Sequence, residues 1–164
     1  MFEFDADGSH QPEQLPEFID RLSAGAGLVI GSRWVPGGSV ENWPLRRRLL
    51  SRAGTLFART MLRSRLRDIT SGFRGFRADT LRQCGAVQST TRGYGFQIEL
   101  AWNVEKLGIR IEEIPITFIE RVNGRSKMTF SIIAEAMWRV FRWGLEDRLV
   151  RPQRQGELSN VERE

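Results

Sequence analysis

Cysteine, lysine and long apolar runs are scarce in this chain of 164 residues. The single cysteine, Cys84, has no partner for an internal disulfide or a cysteine metal site, which fits a reducing compartment. No apolar run approaches the roughly 20 residues that span a bilayer, and the acidic start differs from a secretory signal. Secretion and membrane spanning are therefore not expected, and the length fits one domain or a large piece of one.

Positive charge is carried almost entirely by arginine. Only Lys106 and Lys127 are lysines among 25 basic residues, which face 20 acidic ones and give a net charge of +5. The planar guanidinium suits phosphate oxygens, although genomic base composition explains the same bias equally well. The placement of the arginines is more informative, because residues 46–67 contain arginines and no acidic residue.

The order of predicted elements indicates an α/β fold. The run Leu28-Val29-Ile30, closed by Gly31, is typical of a strand that is buried on both faces. Pro115 interrupts a later apolar region and predicts a kink or an edge there. The predicted strands are 1–4, 28–30 and 109–118, and the predicted helices are 11–22, 44–67 and 96–106.

The last part of the chain predicts an amphipathic helix over residues 129–150. Apolar side chains such as Met137 and Phe141 fall on one side, and charged ones such as Glu135 and Arg142 on the other. Residues 151–164 are polar and are expected to form a disordered tail. The chain therefore divides into residues 1–128, 129–150 and 151–164.

Two carboxylates follow the first predicted strand. Asp5 and Asp7 are separated by one small residue, so both can turn toward one divalent cation, and hard oxygen ligands suit Mg²⁺ or Mn²⁺. Asp-x-Asp-Gly also occurs in ordinary turns, and taken alone the turn is the more frequent interpretation. His10 is open to three roles: metal ligand, donor to a sugar or phosphate, or partner in a structural hydrogen bond.

Three later segments also carry candidate residues. Residues 68–77, which include Asp68 and Arg74, are too rich in glycine and aromatics for a solvated spacer, so we expect them to line a site. Glu99 follows a glycine-punctuated aromatic turn and faces either the substrate or the solvent. The loop 120–128 carries Arg121, Arg125 and Lys127, and is either a lid over phosphates or a solvated basic loop.

Five motifs together resemble those of the polyprenol (dolichol) phosphate mannose synthases, inverting enzymes of glycosyltransferase family 2. Each motif is weak alone, but their order is specific, and the similarity covers roughly Met1 to Leu145. The motifs are Asp5-Ala6-Asp7-Gly8-Ser9-His10-Gln11-Pro12-Glu13, Gly31-Ser32-Arg33-Trp34-Val35-Pro36-Gly37-Gly38, Asp68-Ile69-Thr70-Ser71-Gly72-Phe73-Arg74, Glu113-Ile114-Pro115-Ile116-Thr117-Phe118 and Glu120-Arg121-Val122-Asn123-Gly124-Arg125-Ser126-Lys127-Met128.

The resemblance implies a fold and a reaction. Residues 1–128 would be the C-terminal part of a GT-A, Rossmann-like catalytic domain, whose N-terminal nucleotide-binding half is missing from this chain. The implied reaction transfers mannose from GDP-mannose to polyprenyl phosphate with inversion. The attacking phosphate oxygen is already ionised at neutral pH, so the reaction requires no strong general base.

The resemblance also implies roles for individual residues. Asp5 and Asp7 would bind Mg²⁺ or Mn²⁺ at the donor diphosphate, with Ser9 at the position where many relatives carry a glutamine ligand. Asp7, Arg121 and Lys127 are the implied catalytic residues. The implied substrate-binding residues are Asp5, Arg33, Arg46, Arg47, Arg48, Asp68, Arg74 and Glu99.

The location implied by the resemblance is peripheral, at the inner, cytoplasmic face of a membrane, with a membrane-spanning protein as a possible anchor. Helices 44–67 and 129–150 have the apolar-plus-arginine character of interfacial segments, although core helices share it. Two alternatives stay open: another donor such as UDP-glucose, and a non-catalytic piece that binds a membrane surface or a partner. Nucleic-acid binding ranks lowest, because no recognition fold is visible.

Overall fold

A computed structural model describes residues 1–5, 7–86, 89, 91, 93–120 and 130–161. Within the last helix, it describes the side chains of residues 131–149. The α/β class predicted from the sequence is confirmed, with two sheets and five α-helices in these ranges.

The main sheet has four strands in the order β1-β4-β2-β5. Strand β2 pairs antiparallel with β4 and parallel with β5, and β1 pairs antiparallel with β4, so the sheet is mixed. All five residues of β2 are buried, which confirms the prediction made from its apolar run. The strands are β1 (Phe2–Glu3), β2 (Leu28–Ser32), β4 (Arg74–Phe76) and β5 (Ile111–Pro115); β3 (Ser39–Glu41) and β6 (Thr117–Ile119) form a parallel pair.

Pro115 divides the predicted strand region in two, as expected from a residue without a backbone N–H. The next residue, Ile116, donates its N–H to Ser32 O and accepts from Ser39 N on its carbonyl. The chain thereby leaves the main sheet and enters the small one. This step positions Phe118 of β6 on the wall of the cleft described below.

Two helix ends differ from the prediction. Helix α2 ends at Leu62, five residues before the predicted end at residue 67, because Arg63 takes a left-handed conformation with φ 55°. The final helix extends to Val161, beyond the predicted helix end at residue 150, and the disordered tail expected for residues 151–164 stays a prediction. The helices are α1 (Leu15–Ser23, after a 3₁₀ turn at Pro12–Gln14), α2 (Leu45–Leu62), α3 (Ala78–Gln83), α4 (Gly93–Lys106) and α5 (Phe130–Val161).

The core consists of one apolar cluster on each face of the main sheet, because successive side chains of a strand point to opposite faces. Leu28 and Ile30 belong to the larger cluster, with side chains from α2, α4 and α5. Val29 belongs to the smaller cluster, where Phe18 of α1 stacks on Phe73 with ring centroids 4.3 Å apart. Apolar side chains therefore pack against both faces of strand β2.

Helices α2 and α5 pack closely at Gly144. A Cβ built at this position would lie 2.6 Å from the Met61 carbonyl oxygen, so only glycine fits there. Among the residues that the structure describes, no helix combines the length and the apolar character needed to cross a bilayer.

Candidate active site

A cleft of about 630 Å³ lies among β1, α2, α4 and the loops that follow β1 and β2. Acidic side chains enter it from β1 and the next turn, and cationic ones from the loop after β2 and from α2. The lining residues are Glu3, Asp5, Asp7, His10, Arg33, Trp43, Arg47, Ser51, Thr70, Ser71, Gly72, Gly93, Tyr94, Phe96, Gln97, Phe118 and Ile132.

Asp5 and Asp7 both line this cleft and both are exposed. Ser9 N donates a hydrogen bond to Asp7 Oδ1 at 3.1 Å, and Gly8 has φ +78°, so the residues do form the turn that the motif favours. Among the described residues, no three His, Cys, Asp or Glu side chains form a metal-binding group. Two carboxylates nevertheless fit Mg²⁺, which is commonly held by one or two carboxylates together with substrate phosphates and waters.

Ser9 does not take the place of a third ligand. Its residue is 1% exposed and lies outside the cleft lining, and its hydroxyl has no hydrogen-bond partner within the described ranges. The turn that brings Asp7 to the surface directs Ser9 inward. The geometry gives the expected ligand role of Ser9 no support, and that role stays a prediction.

His10 is a buried part of the cleft wall. Its ring lies between Phe73 and Phe118, with centroid distances of 5.0 and 5.1 Å, and Nε2 is 3.9 Å from Asp5 Oδ2. Neither nitrogen has a hydrogen-bond partner in the part of the chain described here. Burial lowers the pKa of His10, and Arg33 adds to this effect while Asp5 opposes it. Packing, rather than the structural hydrogen bond considered above, therefore holds the ring.

Arg33 is fixed by a buried carboxylate. Its Nε and Nη2 donate to Asp68 Oδ2 and Oδ1, both at 2.7 Å, and its backbone N–H donates to Oδ2 at 2.9 Å. Burial disfavours the charge on Arg33, but the Asp68 carboxylate outweighs this cost and raises the pKa of Arg33. The guanidinium therefore stays charged and keeps a single orientation in the cleft.

Asp68 itself is fully buried and is not part of the cleft wall. Its backbone N–H donates to Glu113 Oε1 at 2.8 Å, which fixes the loop from the β5 side. In this structure the carboxylate holds Arg33, and the predicted contact between Asp68 and substrate stays a prediction.

Only one of three neighbouring arginines on α2 reaches the cleft. Arg47 lines it, forms an ion pair with Glu120 and lies 4.3 Å from the centroid of Trp43. Arg46 and Arg48 are exposed and outside the lining, because consecutive residues of a helix differ by about 100° in direction. The prediction for this triplet is thus narrowed to Arg47.

Arg74 does not line the cleft, but it binds two residues that do, Ser71 and Gln97. It is fully buried, and Nε, Nη1 and Nη2 donate to the carbonyls of Ser71, Gln97 and Ile69 at 2.7, 2.5 and 2.7 Å. Burial lowers its pKa to about 10, with Glu3 and Asp68 opposing the shift. Every donor nitrogen of Arg74 is bound to the backbone, and the expected substrate contact stays a prediction.

Glu99 also faces the protein. Its Oε2 accepts a hydrogen bond from Ser89 Oγ at 2.6 Å, and it lies outside the cleft lining. Gln97, two positions earlier on α4, does line the cleft, together with Tyr94 and Phe96 of the same helix. Helical geometry places these two residues about 200° apart, so only one of them faces the cleft.

Sequence reasoning missed Glu3 and Gln97. Glu3 offered a signal, because an acidic residue interrupts the apolar strand two positions before Asp5. No sequence feature pointed to Gln97, since a polar residue near the start of a helix is ordinary.

Arg121, Arg125 and Lys127 lie outside the described residues, and their roles stay predictions.

An apolar groove of about 170 Å³ adjoins the cleft between α2, α4 and α5. Ser51, Thr70 and Tyr94 line both cavities, so the groove lies directly beside the cleft. The remaining lining is almost wholly apolar or small: Leu50, Ala53, Gly54, Phe57, Ala58, Ile98, Ile133, Ala136, Met137 and Val140.

Comparison with known proteins confirms the resemblance. The family described as glycosyl transferase family 2 matches residues 1–85, just over half of the chain. Undecaprenyl-phosphate mannosyltransferase of Micrococcus luteus is 51% identical over 148 residues, covering 90% of this chain and 60% of that protein. Polyprenol monophosphomannose synthase of Mycolicibacterium smegmatis is 46% identical over 151 residues, covering 92% and 57%. This chain therefore spans about three fifths of the length of these relatives. The expected missing nucleotide-binding half stays a prediction.

Proposed function

We propose that this chain, which belongs to glycosyl transferase family 2, transfers mannose from GDP-mannose to a polyprenyl phosphate with inversion. The observation that carries the proposal is one cleft that holds paired carboxylates and fixed arginines and opens into an apolar groove. Both relatives have names that refer to mannose and to a polyprenol or its phosphate. Diphosphate, phosphate and isoprenoid would each find matching surface here.

The carboxylate side of the cleft suits a metal-bound diphosphate. Asp5 and Asp7 would hold Mg²⁺ or Mn²⁺, and the exposure of both leaves room for diphosphate oxygens and waters around the ion. When bound, the ion neutralises charge that develops on the leaving diphosphate. Asp7 is fixed by the turn with Ser9, so this carboxylate is already oriented in the free protein.

The arginine side of the cleft suits the acceptor phosphate. Arg33 is locked by Asp68, and Arg47 is held between Glu120 and Trp43, so both present charge without a large loss of side-chain entropy.

In the proposed reaction, an acceptor phosphate oxygen would attack the anomeric carbon of mannose. The bond to the diphosphate oxygen breaks, and its electron pair leaves with GDP. The acceptor oxygen carries no proton at neutral pH, so none of the lining residues has to remove one.

The apolar groove would receive the first isoprene units of the lipid. It starts at Ser51 and Thr70, residues that it shares with the cleft, so a lipid phosphate in the cleft would place its chain there. Nearby apolar side chains on α2 and α5 are exposed and suit a membrane surface at the cytoplasmic leaflet. They are Leu45, Leu49, Leu50, Ile132, Met137, Trp138, Phe141, Leu145 and Leu149. A membrane-spanning anchor protein is part of this proposal.

A transfer assay tests the proposal. The chain is incubated with labelled GDP-mannose, undecaprenyl phosphate in detergent micelles and Mn²⁺ or Mg²⁺, and the lipid product is extracted and counted. We expect mannosyl lipid that disappears with EDTA and in Asp7→Ala. The matched control is Asp20→Ala, an exposed aspartate of α1 outside the cleft. Lipid product from UDP-glucose instead would replace the proposed donor, and turnover that ignores EDTA would contradict the metal site.

A further inference from the structure

We infer that Glu3 and Gln97 form a hydroxyl-binding pair that recognises the sugar to be transferred. The inference rests on the proposed function and adds specificity-determining residues to it. The two residues are 94 positions apart in the chain and meet inside the cleft, where Gln97 Nε2 donates to Glu3 Oε1 at 2.5 Å. Glu3 precedes Asp5 by two positions, so the pair adjoins the carboxylates of the proposed diphosphate site.

The hydrogen-bonding capacity of the pair selects a hydroxyl ligand. The Gln97 amide directs its donor nitrogen to the Glu3 carboxylate, which fixes the amide orientation and leaves the carbonyl oxygen as an acceptor. That oxygen, Oε1, has almost no exposed surface and no partner among the described residues, so a ligand hydroxyl reaches it when the amide shifts toward the cleft that Gln97 lines. A buried acceptor of this kind requires a donor. Sugar hydroxyls supply donors, whereas an ionised phosphate supplies none and is repelled by Glu3.

Arg74 positions both members of the pair. Its Nη1 donates to the Gln97 carbonyl at 2.5 Å, which fixes the backbone of α4 at that residue. Across the sheet, Glu3 and Arg74 are register partners in β1 and β4. Arg74 also binds the carbonyls of Ile69 and Ser71, and Ser71 belongs to the cleft wall. Arg74 is buried and has three backbone partners, so it connects Gln97 with the loop that contains Ser71.

Different parts of the cleft therefore suit different chemical groups of a ligand. Glu3 and Gln97 present acceptors, Asp5 and Asp7 present metal ligands, and the arginines present donors to anions. A nucleotide sugar bound through its diphosphate at Asp5 and Asp7 would bring its sugar hydroxyls to Glu3 and Gln97. Specificity of this type is strong, because an analogue that lacks the hydroxyl leaves the buried acceptor unpaired.

Donor discrimination tests the pair. The value of kcat/KM is measured for GDP-mannose and for its 2-, 3-, 4- and 6-deoxy analogues, with undecaprenyl phosphate as acceptor. Wild type should disfavour at least one analogue by about 10-fold or more. In Gln97→Leu and in the isosteric Glu3→Gln, that ratio should fall to within about 3-fold of unity, because the selecting acceptor is removed or altered. Gln83→Leu, an exposed position on α3, should keep the wild-type ratio.

Binding measurements separate failure of the pair from failure of the transfer. Calorimetry should show that wild type binds GDP-mannose more tightly than GDP, and that Gln97→Leu loses this difference while its affinity for GDP stays within 2-fold. Variants that keep the wild-type preference in both assays would overturn the pair. Sugar-dependent binding that is lost in Gln97→Leu, in a wild-type chain that forms no lipid product, would support the pair while the proposed transfer fails.

Discussion

Arg33 and Asp5 line the same cleft but are held in opposite ways. Arg33 is buried and receives a two-pronged ion pair from Asp68, whereas the Asp5 side chain is 68% exposed and has His10 Nε2 at 3.9 Å. A fixed cation binds a phosphate with little reorganisation, while an exposed carboxylate is free to adjust around a metal ion and its waters. The comparison indicates that the fold fixes Arg33 on the proposed acceptor side, whereas it leaves Asp5 on the proposed donor side able to adjust to a ligand.

Removal of Asp68 should have the largest effect, because it leaves the buried charge of Arg33 without a partner. Asp68→Ala is expected to lower the free energy of unfolding by about 3–5 kcal/mol. Urea unfolding measured by fluorescence checks this. Asp79→Ala, which removes an exposed carboxylate paired with Arg77, should leave the unfolding midpoint close to that of wild type. Equal midpoints for the two variants would show that the buried carboxylate of Asp68 contributes no more to stability than the exposed one of Asp79.

Removal of Asp7 should separate activity from stability. Asp7→Ala is expected to lower kcat/KM by at least about 10²-fold, because a ligand of the ion at the leaving group is lost. Its free energy of unfolding should stay within about 1 kcal/mol of wild type, since the side chain is exposed. Parallel activity and urea measurements check both values. A variant as unstable as Asp68→Ala would show that this turn, too, is organised by the fold.

Two arginines of α2 test the proposed phosphate contact on the acceptor side of the cleft. Arg47→Ala should raise KM for undecaprenyl phosphate by about 10-fold, the order of one charge-assisted contact. Arg48→Ala should change it by less than about 2-fold, because the side chain is exposed outside the cleft and screened. Steady-state kinetics at fixed detergent concentration distinguish the two. Equal effects would indicate general attraction to the helix instead of a defined phosphate contact.

His10 should give the smallest effect on stability. In His10→Phe, an apolar ring replaces two buried nitrogens without hydrogen-bond partners in the described ranges, so stability should stay equal or rise by up to about 1 kcal/mol. Activity should fall by a few-fold, since the ring contact with Asp5 changes. Thermal unfolding and the transfer assay check these outcomes. A loss of stability comparable to that of Asp68→Ala would show that the imidazole nitrogens are structurally required.

Several features followed directly from local sequence. The apolar run 28–30 predicted a buried strand, and Pro115 predicted the interruption between β5 and β6. Asp5 and Asp7 were identified as neighbours because two positions of one turn cannot lie far apart. The resemblance in motif order placed Arg33 among the substrate-binding residues, and Arg33 does line the cleft. In each case the residues that decide the outcome are adjacent in the chain.

The directions of other side chains could not be predicted, because they depend on residues distant in sequence. Arg74 and Asp68 belong to a motif that resembles a substrate loop, but their side chains turn inward to bind carbonyls and Arg33. Glu99 was predicted to face either the substrate or the solvent, but its Oε2 accepts a hydrogen bond from Ser89 Oγ, and Gln97 lines the cleft. The direction of each side chain is decided by which neighbour offers a matching donor or acceptor after folding.

The sequence alone determined the fold class, the family and the turn that presents Asp5 and Asp7, since these depend on local pattern and motif order. The tertiary structure decided which charged groups face the cleft and which support it. It also brought Glu3 to Gln97 and placed the apolar groove beside the cleft. The physical reason is that a buried charge or polar atom requires a partner, and the partners of Arg33, Arg74 and Glu3 are brought to them only by folding.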